Sequence, residues 1–279
     1  MMTRRQVLPW LTSAALPAVM PLSGCGTVPP IPTTPTPELV KAMAPTGKLR
    51  ASINLGNPIL ANRNKLTNEV SGVSIDLAHA LAARLGVAAE LIVSDTALRS
   101  VELVKAGQAD IGFFAIDPLR SDGIAFSAAY VHIEGAYVVR KESRFTDNAQ
   151  VDSAGTRIMA GKGSAYDLYL SRTLKAATLM YARTSPSVVD SFLADGADVA
   201  AGVKQQLQAD VLRLQNQHPL RLLPGRFMVI EQAMGVQAGR GAGAEAFLRS
   251  FVENAKASGF VAQALARHGI QGALVAPAA

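Results

Sequence analysis

From Lys48 onward the chain alternates short β-type runs with amphipathic helical runs, and it does so twice in the same order. "LRASINL" puts Leu49, Ala51, Ile53 and Leu55 on one face at a period of two, as a half-buried strand does. "SIDLAHALAARLG" spaces Leu77, Leu81 and Leu85 at helical intervals and stops at Gly86, a C′ glycine. "AELIVSD", "ALRSVELVKAG" and "ADIGFFA" then read as strand, helix and strand. A β-α-β-α-β series of this kind predicts a mainly parallel sheet with helices on its faces.

The second series runs through "TRIMAG", "SAYDLYLSRTL", "ATLMYA", "SPSVVDSFLADG" and "DVAAGV". "VKAGQADIGF" and "FLADGADVAA" match in outline: each ends a helix in glycine (Gly107, Gly196) and opens the next strand with aspartate (Asp110, Asp198). "RLLPGRFMVIEQAMGV" would carry the chain back, and two helical runs, 244 to 257 and 259 to 268, close it. The expected fold is α/β with two lobes, 47–136 plus 234–279 and 137–233. Loops at the carboxyl ends of parallel strands converge on a shared crevice, which is where such folds take ligands. Arg120 in "IDPLRSDGIAFSAAY" follows the third strand of the first lobe and so falls at such an end.

The first 25 residues combine Arg4 and Arg5 with an apolar stretch from Val7 to Leu22 and small residues before Cys25. Prolines at 9, 17 and 21 interrupt that stretch, so residues 1–24 read as an export signal rather than a spanning helix. Leu22-Ser23-Gly24-Cys25 resembles a bacterial lipobox, which implies lipidation of Cys25; Thr3 to Leu8 also resembles a twin-arginine signal. Cys25 is the only cysteine, so no intrachain disulfide is available. Prolines at 29, 30, 32, 35 and 37 favour extended chain, and residues 25–46 are expected to be a lipidated cysteine and its tether. The formal charge of +6 falls to 6 − 2 = +4 without Arg4 and Arg5, too small and dispersed an excess for a nucleic-acid surface.

Several stretches together resemble one family, the bacterial extracellular solute-binding proteins of the polar amino acid type, family 3, which share the type II periplasmic-binding-protein fold. "GVSIDLAHALAARLG", "ELVKAGQADIGFFAIDPLRSDGIAFSAAY" and "GTRIMAGKGSAY" carry the likeness, which covers roughly residues 47 to 270. The resemblance implies that Arg120 forks onto a ligand carboxylate, for which a planar guanidinium is suited. It also implies that Gly163 and Ser164, opening a helix in the second lobe, receive the same anion. Ala115, at the end of the third strand, joins this set.

Three positions depart from the family pattern. Asn57-Pro58-Ile59-Leu60 stands where the family has an aromatic, Asp117 where it has threonine, and Gly202-Val203-Lys204 where an acid clamps the ligand's ammonium. Asn57 is kept as a ligand residue, and Asp117 or Glu134 is expected to supply the missing negative charge. If neither does, Lys204 would suit a diacid.

The expected function is a lipid-anchored, extracytoplasmic, monomeric solute-binding protein that captures a small carboxylate-bearing solute for an ABC permease. No cofactor, metal or catalytic residue is expected, because the four histidines lack metal-ligand spacing and "AGRGAG" lacks the ending of a phosphate loop. Two alternatives stay open. One is an enzyme like the cyclohexadienyl dehydratases, which use the same fold, with Glu134 or Asp117 as acid or base. The other is a sensor lipoprotein.

Overall fold

In the computed structural model, residues 35–279 are described. The expected signal, Cys25 and the tether up to residue 34 lie outside them. The last part of the expected tether is not extended chain. Helix α1 (Pro37–Met43) forms there, with the Thr36 hydroxyl accepting from the Leu39 N–H and Pro37 in the first turn. Proline at the start of a helix sacrifices no intrahelical bond, and Met43, fully buried, pins the helix into the core. The folded body therefore includes about ten residues that the proline pattern assigns to the tether.

The first series follows the sequence periods. β1 (Lys48–Asn54) buries Leu49, Ala51 and Ile53. A short hairpin of β2 (Asn62–Arg63) and β3 (Val70–Ser71) leads into α2 (Val73–Leu85), which ends at Gly86 in the left-handed conformation. β4 (Ala88–Ser94), α3 (Ala97–Lys105), β5 (Ile111–Ala115) and the single turn α4 (Pro118–Ser121) come next. β5 is buried at every position, as a central strand covered on both faces must be. The long strand β6 (Ile124–Arg140) then leaves the first lobe.

The second series comprises β7 (Arg157–Gly161), α5 (Ala165–Thr173), β8 (Thr178–Ala182), α6 (Val188–Ala194), β9 (Val199–Val203) and α7 (Lys204–Leu214). β10 (Leu220–Leu222) and β11 (Met228–Gln237) bring the chain back to α8 (Ala242–Ala257), α9 (Phe260–Arg267) and β12 (Leu274–Val275). No helix among the described residues is long and apolar enough to cross a membrane.

The strand order is β4-β1-β5-β11-β6-β9-β7-β8. β1 runs parallel to β4 and β5, and β7 parallel to β8 and β9, so each lobe has its own parallel unit. Antiparallel β11 and β6 join the two. β6 belongs to both lobes: it pairs with β11 from Ile124 to Gly135 and with β9 from Gly135 to Val138. A Cβ on Gly135 would lie 2.7 Å from the Met228 side chain and 3.0 Å from the Phe227 ring, so the crossing is built around a glycine.

The two matching helix-to-strand passages prove to be one structural device used twice. In the first lobe the Arg50 N–H and guanidinium donate to Asp110, and Arg50 Nη2 also donates to the Gly107 carbonyl at 2.9 Å. In the second, the Arg157 N–H donates to Asp198 at 2.8 Å and its guanidinium donates to the Gly196 carbonyl. Gly107 and Gly196 are both left-handed, at φ 66° and 64°. The device locks the first strand of each lobe to the start of its third.

Candidate functional site

Arg120 is delivered by a single helical turn. Asp117 caps that turn by accepting the Leu119 N–H at 2.9 Å, and Pro118 occupies its first position. This swings the Arg120 guanidinium back over the end of β5. Nη1 donates to the Ala115 carbonyl at 3.1 Å, and Nη2 reaches the second lobe and donates to the Gly163 carbonyl at 3.0 Å. The residue is only 4% exposed. Burial pulls its pKa down to about 10, partly opposed by the nearby charge of Asp117, so it remains a cation near neutral pH. Its partners in the fold are neutral carbonyls, and among the described residues no carboxylate forms an ion pair with it.

Around it lies a pocket between the lobes with about 30 Å³ of internal space. Asn57, Ala115, Arg120 and Ser164, all expected from the sequence, are among its lining residues. Gly163 borders it through the carbonyl bonded to Arg120. At φ 72° Gly163 holds a left-handed turn, and a Cβ there would come within 2.8 Å of Leu98 of α3, so the lobes touch at this glycine.

The helix end behind Ser164 differs from expectation. The Ser164 hydroxyl accepts the Asp167 N–H at 3.0 Å, and Asp167 Oδ2 accepts the Gly163 N–H at 2.7 Å. A carboxylate of the chain itself thus takes one of the N–H groups expected to hold an external anion. The N–H groups of Ala165 and Tyr166 in the first turn are the ones the helix does not engage itself, and both residues line the pocket.

Asp117 and Glu134 do not line the pocket, which corrects the expectation that one of them meets the ligand. Asp117 Oδ2 accepts from Arg172 Nη2 at 2.7 Å. Glu134 on β6 accepts from Lys204 Nζ at 2.7 Å and from Arg226 Nη1 at 2.8 Å, and these two cations hold its carboxyl below the usual carboxylate range. Lys204 is engaged by the same pair, which removes it as a partner for a second ligand carboxylate.

Sequence reasoning missed Asn54, Tyr166, Ser185 and Gln232, which complete the polar lining. Asn54 ends β1 and Ser185 follows β8, so the strand-end rule applied to every strand would have found both. Among the described residues Asn57 Oδ1 is buried without a hydrogen-bond partner. The Tyr166 hydroxyl is buried beside the Ser164 and Ser185 hydroxyls and the Gly161 backbone. Among the described residues no cluster of three or more His, Cys, Asp or Glu is placed to hold a metal ion.

The model of family 3 of the bacterial extracellular solute-binding proteins matches residues 58–269. The chain belongs to this family. Solved structures of similar fold include the solute receptor for L-cysteine of Neisseria gonorrhoeae, with a TM-score of 0.71 at 20% identity, covering 84% of this chain and 94% of that one. An amino acid ABC transporter substrate-binding protein of Streptococcus pneumoniae bound to L-arginine superposes with a TM-score of 0.69 at 19% identity, covering 82% and 97%. An ancestral amino acid-binding protein described as a precursor of cyclohexadienyl dehydratase has a TM-score of 0.68 at 17% identity, covering 82% and 98%. A search of curated protein sequences returns no match. The solute-binding family accounts for the two lobes and for a pocket at the strand ends between them.

Proposed function

We propose that this solute-binding protein captures a small carboxylate-bearing solute outside the cytoplasm and hands it to an ABC permease, working as a monomer held to a membrane through lipidated Cys25. The observation that carries the reading is the Arg120 guanidinium, buried in a pocket with carbonyl partners only. A buried cation with no carboxylate among its direct partners in the described residues is costly, and a ligand carboxylate forking onto it would reduce that cost. Asn57, Ala115, Gly163 and Ser164 form the rest of the proposed ligand shell. The lobes, 47–136 with 234–279 and 137–233, would close by rotation about β6 and β11, an equilibrium the ligand shifts by preferring the closed form.

Binding is favoured over catalysis because Asp117 and Glu134, the two groups that could move a proton, are tied to cations outside the pocket. A thermal-shift screen of the full chain in mild detergent against small carboxylates tests the reading. A ligand at one hundred times its dissociation constant stabilises by about 2.7 kcal/mol. Absence of any shift across the carboxylates, with a shift from uncharged or cationic solutes instead, would overturn it.

A further inference from the structure

We propose that Gln232 is a specificity-determining residue, whose side-chain amide hydrogen-bonds a polar group in the body of the solute; this rests on the carboxylate reading of Arg120, which holds the solute's other end. The floor of the pocket carries the argument. Gln232 on β11 is the direct cross-strand partner of Ala115 on β5. Opposed residues of an antiparallel pair face the same side of a sheet, and so do residues two apart on one strand. Phe113 and Ala115 from β5 therefore share one surface with Ile230 and Gln232 from β11, and all four line the pocket. Gln232 is the one polar member of the four.

Its amide has no role in the fold. Gln232 is only 7% exposed, and its side chain has no hydrogen-bond partner among the described residues. Further along the same strand, by contrast, Gln237 donates its amide to the Lys105 carbonyl at 2.9 Å. A buried amide is costly unless its donors and acceptor are met, and an apolar residue would pack the same floor without that cost. The pairing of β11 with β6 also slips between Gln232 and Ala233, and such irregularities re-aim a side chain beside a site. The amide offers two donors and an acceptor. A hydroxyl or carboxamide on the solute completes it, whereas a hydrocarbon body would bury it unpaired, a mismatch that discriminates more strongly than one methylene does.

Calorimetric titration of the full chain tests the inference with isosteric pairs that share everything but one polar group: L-threonine against L-valine, L-asparagine against L-leucine, and 3-hydroxybutyrate against 3-methylbutyrate. We expect the polar member of at least one pair to bind roughly ten- to a hundredfold more tightly, the scale of one buried group left without its partner. In Gln232→Met that ratio should collapse to near unity, while the ligand-free variant melts no lower than wild type, because an unpaired buried amide replaced by an apolar group of like shape loses nothing. A glutamine with a merely structural role would instead lower the melting temperature and weaken both members alike, which would overturn the inference. So would a ratio that Gln232→Met leaves unchanged, or apolar members that bind wild type as tightly as polar ones. A ratio that depends on Gln232, with affinity that survives Arg120→Ala, would overturn the carboxylate reading and leave this inference standing. Binding by none of the six would overturn both.

Discussion

Asp117 and Arg172 meet at 2.7 Å and so tie α4 of the first lobe to α5 of the second. The aspartate is buried and also caps the turn that delivers Arg120, whereas the arginine is partly exposed. The pair therefore bridges the lobes, a latch on the proposed closure, next to the residue proposed to hold the ligand.

Arg172→Ala should loosen that latch. A partly exposed pair of this kind contributes about 1 kcal/mol, which converts to roughly fivefold weaker ligand binding. The ligand-free variant should also have a larger radius of gyration by small-angle X-ray scattering. If both affinity and radius match wild type, the pair does not bias closure.

The repeated Arg-Asp-Gly device allows a comparison of one interaction at two depths. Asp110 is fully buried and bonded to both Arg50 and Arg240, while Asp198 is over a third exposed. Asp110→Ala leaves two largely buried guanidinium groups without their carboxylate and should destabilise by about 3 to 5 kcal/mol. Asp198→Ala should cost about 1 kcal/mol or less. Equal losses in chemical denaturation would show that burial does not govern the device.

Glu134 makes stability depend on acid pH. Its carboxyl is held below its ordinary value of 4.5 by Lys204 and then Arg226. A carboxyl depressed in the folded state stabilises fully above its unfolded pKa and loses that contribution as pH falls through the folded one. Wild type should therefore exceed Glu134→Gln by about 1 kcal/mol near neutral pH, and the two should converge as pH drops below 4.5. A difference that stays constant down to strongly acid pH would rule out this origin. Ligand affinity near neutral pH should change little, because the carboxylate lies outside the pocket.

Much of the architecture was legible because burial in a sheet or on a helix leaves a period in the sequence. Leu49, Ala51 and Ile53 announced β1, and Leu77, Leu81 and Leu85 announced α2. The placement of Arg120 was legible for a related reason: it lies in the short segment after the fully buried β5, where parallel strands end. What periods cannot carry is the identity of long-range partners. Asp117 finds Arg172 at a separation of 55 residues, and Glu134 finds Lys204 and Arg226 at 70 and 92. From the chain alone both acids were equally available to a ligand. Asp167 stands three residues after Ser164, a helix-start pattern in which the acid reaches back to a backbone N–H, but its acceptor role at the Gly163 N–H was not read from it. Helix α1 was hidden by Pro35 and Pro37, since proline opening a helix looks like proline in a spacer until the burial of Met43 distinguishes them.

The most direct measurement is a calorimetric titration of the tightest-binding carboxylate into wild type, Arg120→Lys and Arg120→Ala, with thermal melts to establish that each is folded. Removing one partner of a desolvated charge pair costs about 2 to 5 kcal/mol, so Arg120→Ala should lose at least thirtyfold in affinity, on the order of 1.4 kcal/mol per tenfold. Arg120→Lys should recover only part of that loss, because a point charge does not reproduce the forked pair. A folded Arg120→Ala protein that binds the carboxylate as tightly as wild type would contradict the account.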